Sequence, residues 1–282
     1  MFKTLDMLWS TIVNETQFLL KKESFLFRFY YKNILQHHNL TESIIFILSK
    51  KLSNPMISDN FLYKIFNQCY LSNPIMIEFA SRDIQAIYNK DPAVNHYVIP
   101  LLYFKGFHAL QGYRISNYFW KKNKKSLALY LQNQISTLMA VDIHPAATIG
   151  SGIMFDHATG IVIGETVIIE DNVSILQSVT LGGTGKQTVV GNRRHPRIRS
   201  KVIIGAGAKV LGNIEVGYGA KIGAGAVVLN SVPEYSTVVG VPAKIVNQDR
   251  ISMLLYKTDL HNTNKMRHSK IIENEFEYGS GI

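Results

Sequence analysis

From Ile143 to Val232 an apolar residue returns at every sixth position, most often with a small residue beside it. Ile163, Ile169, Ile175 and Leu181 form one run; Ile204, Val210, Val216, Ile222 and Val228 form another. Four places after each stands a second small or apolar residue: Val167, Val173, Val179, then Ala208, Ile214, Ala220, Ala226 and Val232. Neither the helical period nor the two-residue alternation of a simple strand gives this beat, whereas a β-solenoid of hexapeptides does. Such a coil buries its apolar column and leaves chemistry to loops and clefts between subunits.

The first 140 residues follow a different rule. Apolar positions recur at three and four, as in Leu5, Leu8, Trp9, Ile12 and Val13, or Leu127, Tyr130, Leu131 and Ile135, which predicts amphipathic helices. Asn54-Pro55, Asn73-Pro74 and Asp91-Pro92 mark helix boundaries, because the residue before proline disfavours α geometry. One helix therefore covers Ser81 to Tyr88 and stops near Lys90. Near Val141 glycine becomes frequent and β-branched residues dominate. The expected fold class is α+β: a helical domain over 1–140, a left-handed parallel β-helix over 141–246, and an extended, partly ordered tail over 247–282. The coil should close near Val238, at Gly240-Val241-Pro242-Ala243-Lys244.

Two defects interrupt the beat. Phe155 is followed by a step of eight to Ile163, so the chain should bulge at Asp156-His157-Ala158-Thr159-Gly160. Between Leu181 and Ile204 lie 23 positions, read as one hexapeptide plus 17 extra residues extruded as a loop over 185–200. Solenoids accept insertions only where these leave the stack, often on a binding face.

Composition narrows the class further. With 46% hydrophobic residues and only 8 prolines, the 282-residue chain is expected to fold and to hold more than one domain. Its longest apolar runs, such as Ile44 to Leu48, are too short to span a bilayer, and residues 1–22 lack a signal-peptide core. Cys69 is the lone cysteine, which fits a reducing, cytoplasmic setting. The net charge of +10 is concentrated early, with 16 Lys/Arg against 8 Asp/Glu in residues 1–140. Those charges are dispersed, apart from Lys121-Lys122-Asn123-Lys124-Lys125, which reads as a solvated helix end; no nucleic-acid or membrane partner is expected.

The side chains able to carry chemistry are Asp142, His144, Asp156, His157, Arg193, Arg194 and His195. Asp142 precedes His157 by 15 residues, close to one turn of a three-sided coil, so stacking can bring them together. A carboxylate behind an imidazole fixes its tautomer and stabilises the protonated ring, as a general base requires. The His-x4-His pair of zinc-binding hexapeptide coils is missing, and no metal site is expected.

Asp156 to Gly160, followed by Ile175 to Lys186, closely resembles the serine O-acetyltransferase family of hexapeptide-repeat acyltransferases. The likeness extends through Asp91-Pro92-Ala93-Val94, Leu101 to Ala109, Val141 to Ala147 and Arg194-His195-Pro196, and returns in Phe276 to Ile282. It implies transfer of acetyl from acetyl-CoA to the L-serine hydroxyl for cysteine biosynthesis, directly and through a tetrahedral intermediate. It further implies His157 as base oriented by Asp142, with Asp91 and Asp156 on the serine amino group. Arg194 would hold the carboxylate and His195 would complete the pocket. Acetyl-CoA, a co-substrate rather than a permanent cofactor, would meet Gly183, Thr184, Ala206, Lys221 and Ala224. The family pattern implies a homohexamer, a dimer of trimers joined through the helical domains, with active sites between coils. It also implies that Ile282 inserts into cysteine synthase and that cysteine competes at the serine site. The chain departs from the pattern in a longer 187–193 loop and an idiosyncratic segment over 260–274. Two other readings stay open at this level: an O-acyltransferase acting on a sugar or xenobiotic, and a scaffold that binds cysteine synthase.

Overall fold

The computed structural model describes residues 3–185 and 193–249. Eight α-helices come first among these: α1 (Leu5–Lys22), α2 (Phe27–Tyr30), α3 (Leu40–Leu52), α4 (Asp59–Ser72), α5 (Ile75–Lys90), α6 (Val98–Tyr103), α7 (Lys105–Lys121) and α8 (Lys125–Met139). Local chemistry sets their ends. Asn39 caps α3, accepting from Glu42 N at 2.9 Å and so satisfying an amide that the helix leaves open, while Glu42 Oε2 accepts from His38 N at 2.9 Å and ties the residue before the cap to the first turn. Helices α3, α4 and α5 stop within three residues of Pro55, Pro74 and Pro92, as the X-Pro steric rule requires. Ala140, left-handed at φ 55°, ends α8 and turns the chain into the coil.

The coil makes five turns. The first holds β1 (Val141–Ile143), β2 (Thr148–Ile149) and β3 (Met154–Phe155); the second, β4 (Ile161–Ile163), β5 (Ile168–Ile169) and β6 (Ser174–Ile175). The third holds β7 (Thr180–Gly182), β8 (Arg197–Ile198) and β9 (Ile203–Ile204); the fourth, β10 (Lys209–Leu211), β11 (Glu215–Val216) and β12 (Lys221–Ile222). The last has β13 (Val227–Val228), a bridge at Val232, and β14 (Ser236–Val239) before β15 (Lys244–Gln248). Equivalent strands stack in parallel into three sheets: β1-β4-β7-β10-β13, β2-β5-β8-β11, and β3-β6-β9-β12-β14. The six-residue beat is the interior column: Ile163, Ile169, Ile175, Leu181, Ile204, Val210 and Val216 are each at most 1% exposed. Every such side chain removed from water contributes about 1.5–3 kcal/mol, so the column is the coil's main source of stability.

Register locates both defects. Val162 pairs with Thr180 and Lys209 with Val227, each eighteen residues on. Val141 pairs with Ile161, twenty on, and the two surplus residues form the bulge at 156–160, where His157, Ala158 and Gly160 have positive φ. Thr180 pairs with Lys209, twenty-nine on. The insertion is therefore eleven residues rather than seventeen, and the predicted 185–200 loop ends early. Ile198, buried between Ile169 and Val216, has already rejoined the column. Arg197 and Arg199 on either side mask its place in the beat, because their guanidiniums turn outward onto Glu170 Oε1 at 2.7 and 2.8 Å. A second difference lies at the far end. Past the turn at 240–243, β15 runs antiparallel to β14 and carries order to Gln248, beyond the expected boundary at 246.

The helices seal the first turn of the coil. Asp83, fully buried on α5, accepts from Ile153 N (2.9 Å), Gln111 Nε2 (2.9 Å) and Arg114 Nη2 (2.7 Å), and Arg114 also donates to Gly150 O (2.8 Å). Lys90 Nζ donates to Gly152 O (3.2 Å), Asn172 O (2.9 Å) and Ser174 Oγ (3.2 Å). Helix ends and coil corner are thereby held in one register.

Candidate active site

Most of the sequence-predicted residues fall on two corners of the triangular coil, both flanking the first sheet. Where the third sheet passes to the first, successive turns stack Asp156-His157, Gln177-Ser178, Ala206-Gly207 and Ala224-Gly225. The links are Ser178 N to Thr159 O (2.8 Å), Gly207 N to Gln177 O (2.9 Å) and Gly225 N to Ala206 O (2.8 Å). His157 stands at the foot of this column, its side chain 72% exposed and its Nε2 3.7 Å from Asp156 Oδ1. A cavity of about 410 Å³ opens beside it, lined by Asp91, Tyr103, Lys105 and Asp156 among others. Asp91 enters from the end of α5, its Oδ1 accepting from Ala93 N at 2.9 Å. Lys221 lies nearby in the third sheet, exposed, between Ile203 and Thr237.

Close approach of α7 shapes this corner. A Cβ added to Gly106 would lie 2.2 Å from Phe155 O and 3.0 Å from Ala158 Cβ, so only glycine lets the helix end sit on the bulge. Lys105, beside it, donates from Nζ to Thr159 Oγ1. Sequence reasoning missed both residues. They act across 49 to 54 positions of chain, and no local period signals the contact.

The second group lies where the first sheet passes to the second. It comprises His144 after β1, Gly164-Glu165-Thr166 after β4, and Gly183, Thr184, Arg194 and His195 after β7. Thr166 N and Thr166 Oγ1 lie 3.0 and 2.9 Å from His195 Nδ1; Arg194 N donates to Thr166 Oγ1 at 3.1 Å, and Arg194 Nη2 pairs with Glu165 Oε2 at 2.7 Å. A side chain on Gly183 would touch Arg194 O at 3.6 Å, and Thr184 Cγ2 packs toward Gly212. Burial lowers the pKa of His195, and neighbouring Arg194 lowers it further; burial does the same to His144 against the opposing fields of Glu165 and Asp142. Both shifts favour the neutral ring.

Asp142 and His157 do not meet within one chain. Asp142 Oδ1 accepts from Gln132 Nε2 of α8 at 2.7 Å, and the carboxylate that pairs with His157 is Asp156. Nor does one chain join the two corners, so Arg194 and His195 stand apart from His157. Among the described residues no group of three or more His, Cys, Asp or Glu forms a metal cluster, and no helix is long and apolar enough to cross a membrane. Residues 186–192, most of the longer loop, and the tail with Ile282 lie outside the described residues.

A helical domain sealing a hexapeptide β-helix, with an exposed imidazole and carboxylates at a corner, defines a hexapeptide-repeat acyltransferase. The family model described as serine acetyltransferase, N-terminal, matches residues 8–112. The serine acetyltransferase of Buchnera aphidicola subsp. Acyrthosiphon pisum is 56% identical over 275 residues, 98% of this chain and 97% of that one. A solved serine acetyltransferase in complex with cysteine is 57% identical, with a TM-score of 0.84 over 87% of this chain and all of that chain. Another, in complex with CoA, is 56% identical, with a TM-score of 0.82 over 86% of this chain and all of that chain. The chain belongs to the serine acetyltransferase family.

Proposed function

We propose that this chain transfers acetyl from acetyl-CoA to the hydroxyl of L-serine, giving O-acetylserine and CoA for cysteine biosynthesis in the cytoplasm. The observation that carries this reading is the division of the site. A base and two carboxylates stand on one corner; a guanidinium and a neutral imidazole stand on the other. Copies arranged about a threefold axis, with unlike corners facing, would bring the two halves into one cleft. Two such trimers, joined through their helical domains, would make a hexamer.

In that cleft His157 removes the serine hydroxyl proton as the oxygen attacks the thioester carbonyl; the tetrahedral intermediate then collapses and expels CoA thiolate. Asp91 and Asp156 receive the ammonium of serine and Arg194 its carboxylate, with Glu165 holding the guanidinium until substrate arrives. Asp142 orients His157 after exchanging its bond to Gln132. Two observations support that step: Gly160 N donates to Ala140 O at 2.7 Å, tethering the bulge to the residue before β1, and the imidazole is largely exposed. Acetyl-CoA runs up the His157 corner past Ala206 and Ala224, where the small side chains admit the pantetheine arm and Lys221 meets a phosphate. Gly183 and Thr184 close over it from the facing coil. The tail binds cysteine synthase through Ile282, and cysteine competes with serine.

The test is CoA release with L-serine as acceptor. His157→Ala lowers turnover by about 10²–10⁴-fold, the usual contribution of a positioned base. Wild-type turnover in that variant removes His157 from the mechanism, and release with sugars but not serine overturns the substrate.

A further inference from the structure

The turn after β4, Gly164-Glu165-Thr166, falls in perfect phase with the coil, yet its polar groups converge on Arg194 and His195. Glu165 holds the Arg194 guanidinium at 2.7 Å. The Thr166 hydroxyl accepts from Arg194 N at 3.1 Å, which leaves its own proton free to donate to His195 Nδ1, 2.9 Å away. The Thr166 amide, which can only donate, reaches the same Nδ1 at 3.0 Å. Two donors on one ring nitrogen require that nitrogen to be bare, so the proton of the neutral imidazole sits on Nε2.

Gly164 completes the seat. A Cβ there would lie 2.5 Å from His195 Nε2 and 2.7 Å from Cδ2 and Cε1, so the imidazole lies against the bare Cα. The backbone at Gly164 is not left-handed, and alanine would therefore act first through its contact with the His195 ring, not through backbone strain. His195 is only 7% exposed, and the charged or titratable groups around it are Arg194, Glu165 and His144.

We infer that Gly164 and Thr166 are positioning residues that present His195 to the acceptor substrate as an Nε2–H hydrogen-bond donor, not as a second proton acceptor. The division of labour follows. His157 removes a proton, while His195 offers one hydrogen bond to a substrate oxygen on the opposite side of the cleft. This inference rests on the serine acetyltransferase reading, which wild-type CoA release with serine tests separately.

The experiment compares five variants of the full chain. Thr166→Val and Gly164→Ala should lower kcat/KM for serine about tenfold or more, with KM for acetyl-CoA changed by no more than about twofold, the pattern of a lost acceptor-side hydrogen bond. The unchanged acetyl-CoA constant also reports an intact coil. Thr166→Ser, which keeps the hydroxyl, should recover most of the loss. His195→Gln, which keeps a donor near the Nε2 position, should exceed His195→Ala by about tenfold. Nitrogen-15 spectra of histidine-labelled enzyme, assigned by loss of the signal in His195→Ala, should show a protonated Nε2 and a bare Nδ1. Wild-type serine kinetics in both Thr166→Val and Gly164→Ala overturn the positioning role. A proton on Nδ1, or a His195→Gln variant no better than His195→Ala, overturns the donor role.

Discussion

His108 lies fully buried in α7, its Nε2–H donating to Leu101 O at 2.7 Å. Burial drives its pKa down to about 4; the bond to Leu101 O partly offsets this, and Lys51 lowers it a little further. The folded protein therefore holds fewer protons than the unfolded chain between pH 6.5 and about 4. Stability from this residue is present above pH 6.5 and is lost as the pH falls toward 4, by roughly 3 kcal/mol in all. Urea midpoints measured from pH 7 down to 4 should fall along this limb, and His108→Gln should flatten it; an unchanged slope refutes the assignment. At the same scale, legibility depended on phase. Asp156-His157 and Arg194-His195 stood out because the beat breaks at each. Glu165 and Thr166 occupy positions an ordinary hexapeptide would fill, and nothing in their spacing distinguishes them from solvent-facing turn residues.

Helices and strands were readable in proportion to how local their causes are. Proline boundaries and the six-residue column are short-range and emerged directly. The strand at Arg197–Ile198 did not, since its one buried residue sits between two arginines whose partners lie a full turn away on Glu170. Docking of α7 against the bulge was equally hidden, and it carries a prediction. Gly106→Ala forces Cβ into Phe155 O, pushing the helix end from the bulge and costing about 1–3 kcal/mol, as overpacking does. Because the same bulge carries His157, serine turnover should fall further than stability alone explains. A thermal midpoint equal to wild type would mean that the helix end does not bear on the bulge in solution.

For the whole molecule, residue spacing carried no sign that the two corners separate within one chain: stacking logic predicted that Asp142 would reach His157, and in one chain Gln132 takes that carboxylate, while sites between coils were implied by the family resemblance alone. The proposed shared cleft makes a quantitative prediction. His157→Ala and Arg194→Ala, each nearly inactive alone, damage opposite halves of it. Co-expressed in equal amounts, they should regain about a quarter of wild-type activity, since random mixing around a threefold ring leaves one cleft in four with both halves intact. No recovery, with mixed oligomers verified by mass spectrometry, would mean that each chain holds a complete site.

The antiparallel strand β15 bears on how such rings grow. A parallel coil with bare last rungs offers a template onto which another coil can add, turn upon turn, and exposed edges of this kind lead to fibres. Here the buried Asp83–Arg114 pair and its helices close one end, while β15, reversed and offset by a bulge between Thr237 and Val238, covers the third sheet at the other. With axial stacking obstructed, the flanks of the coil are the surfaces left for association, which favours the proposed closed ring over a filament.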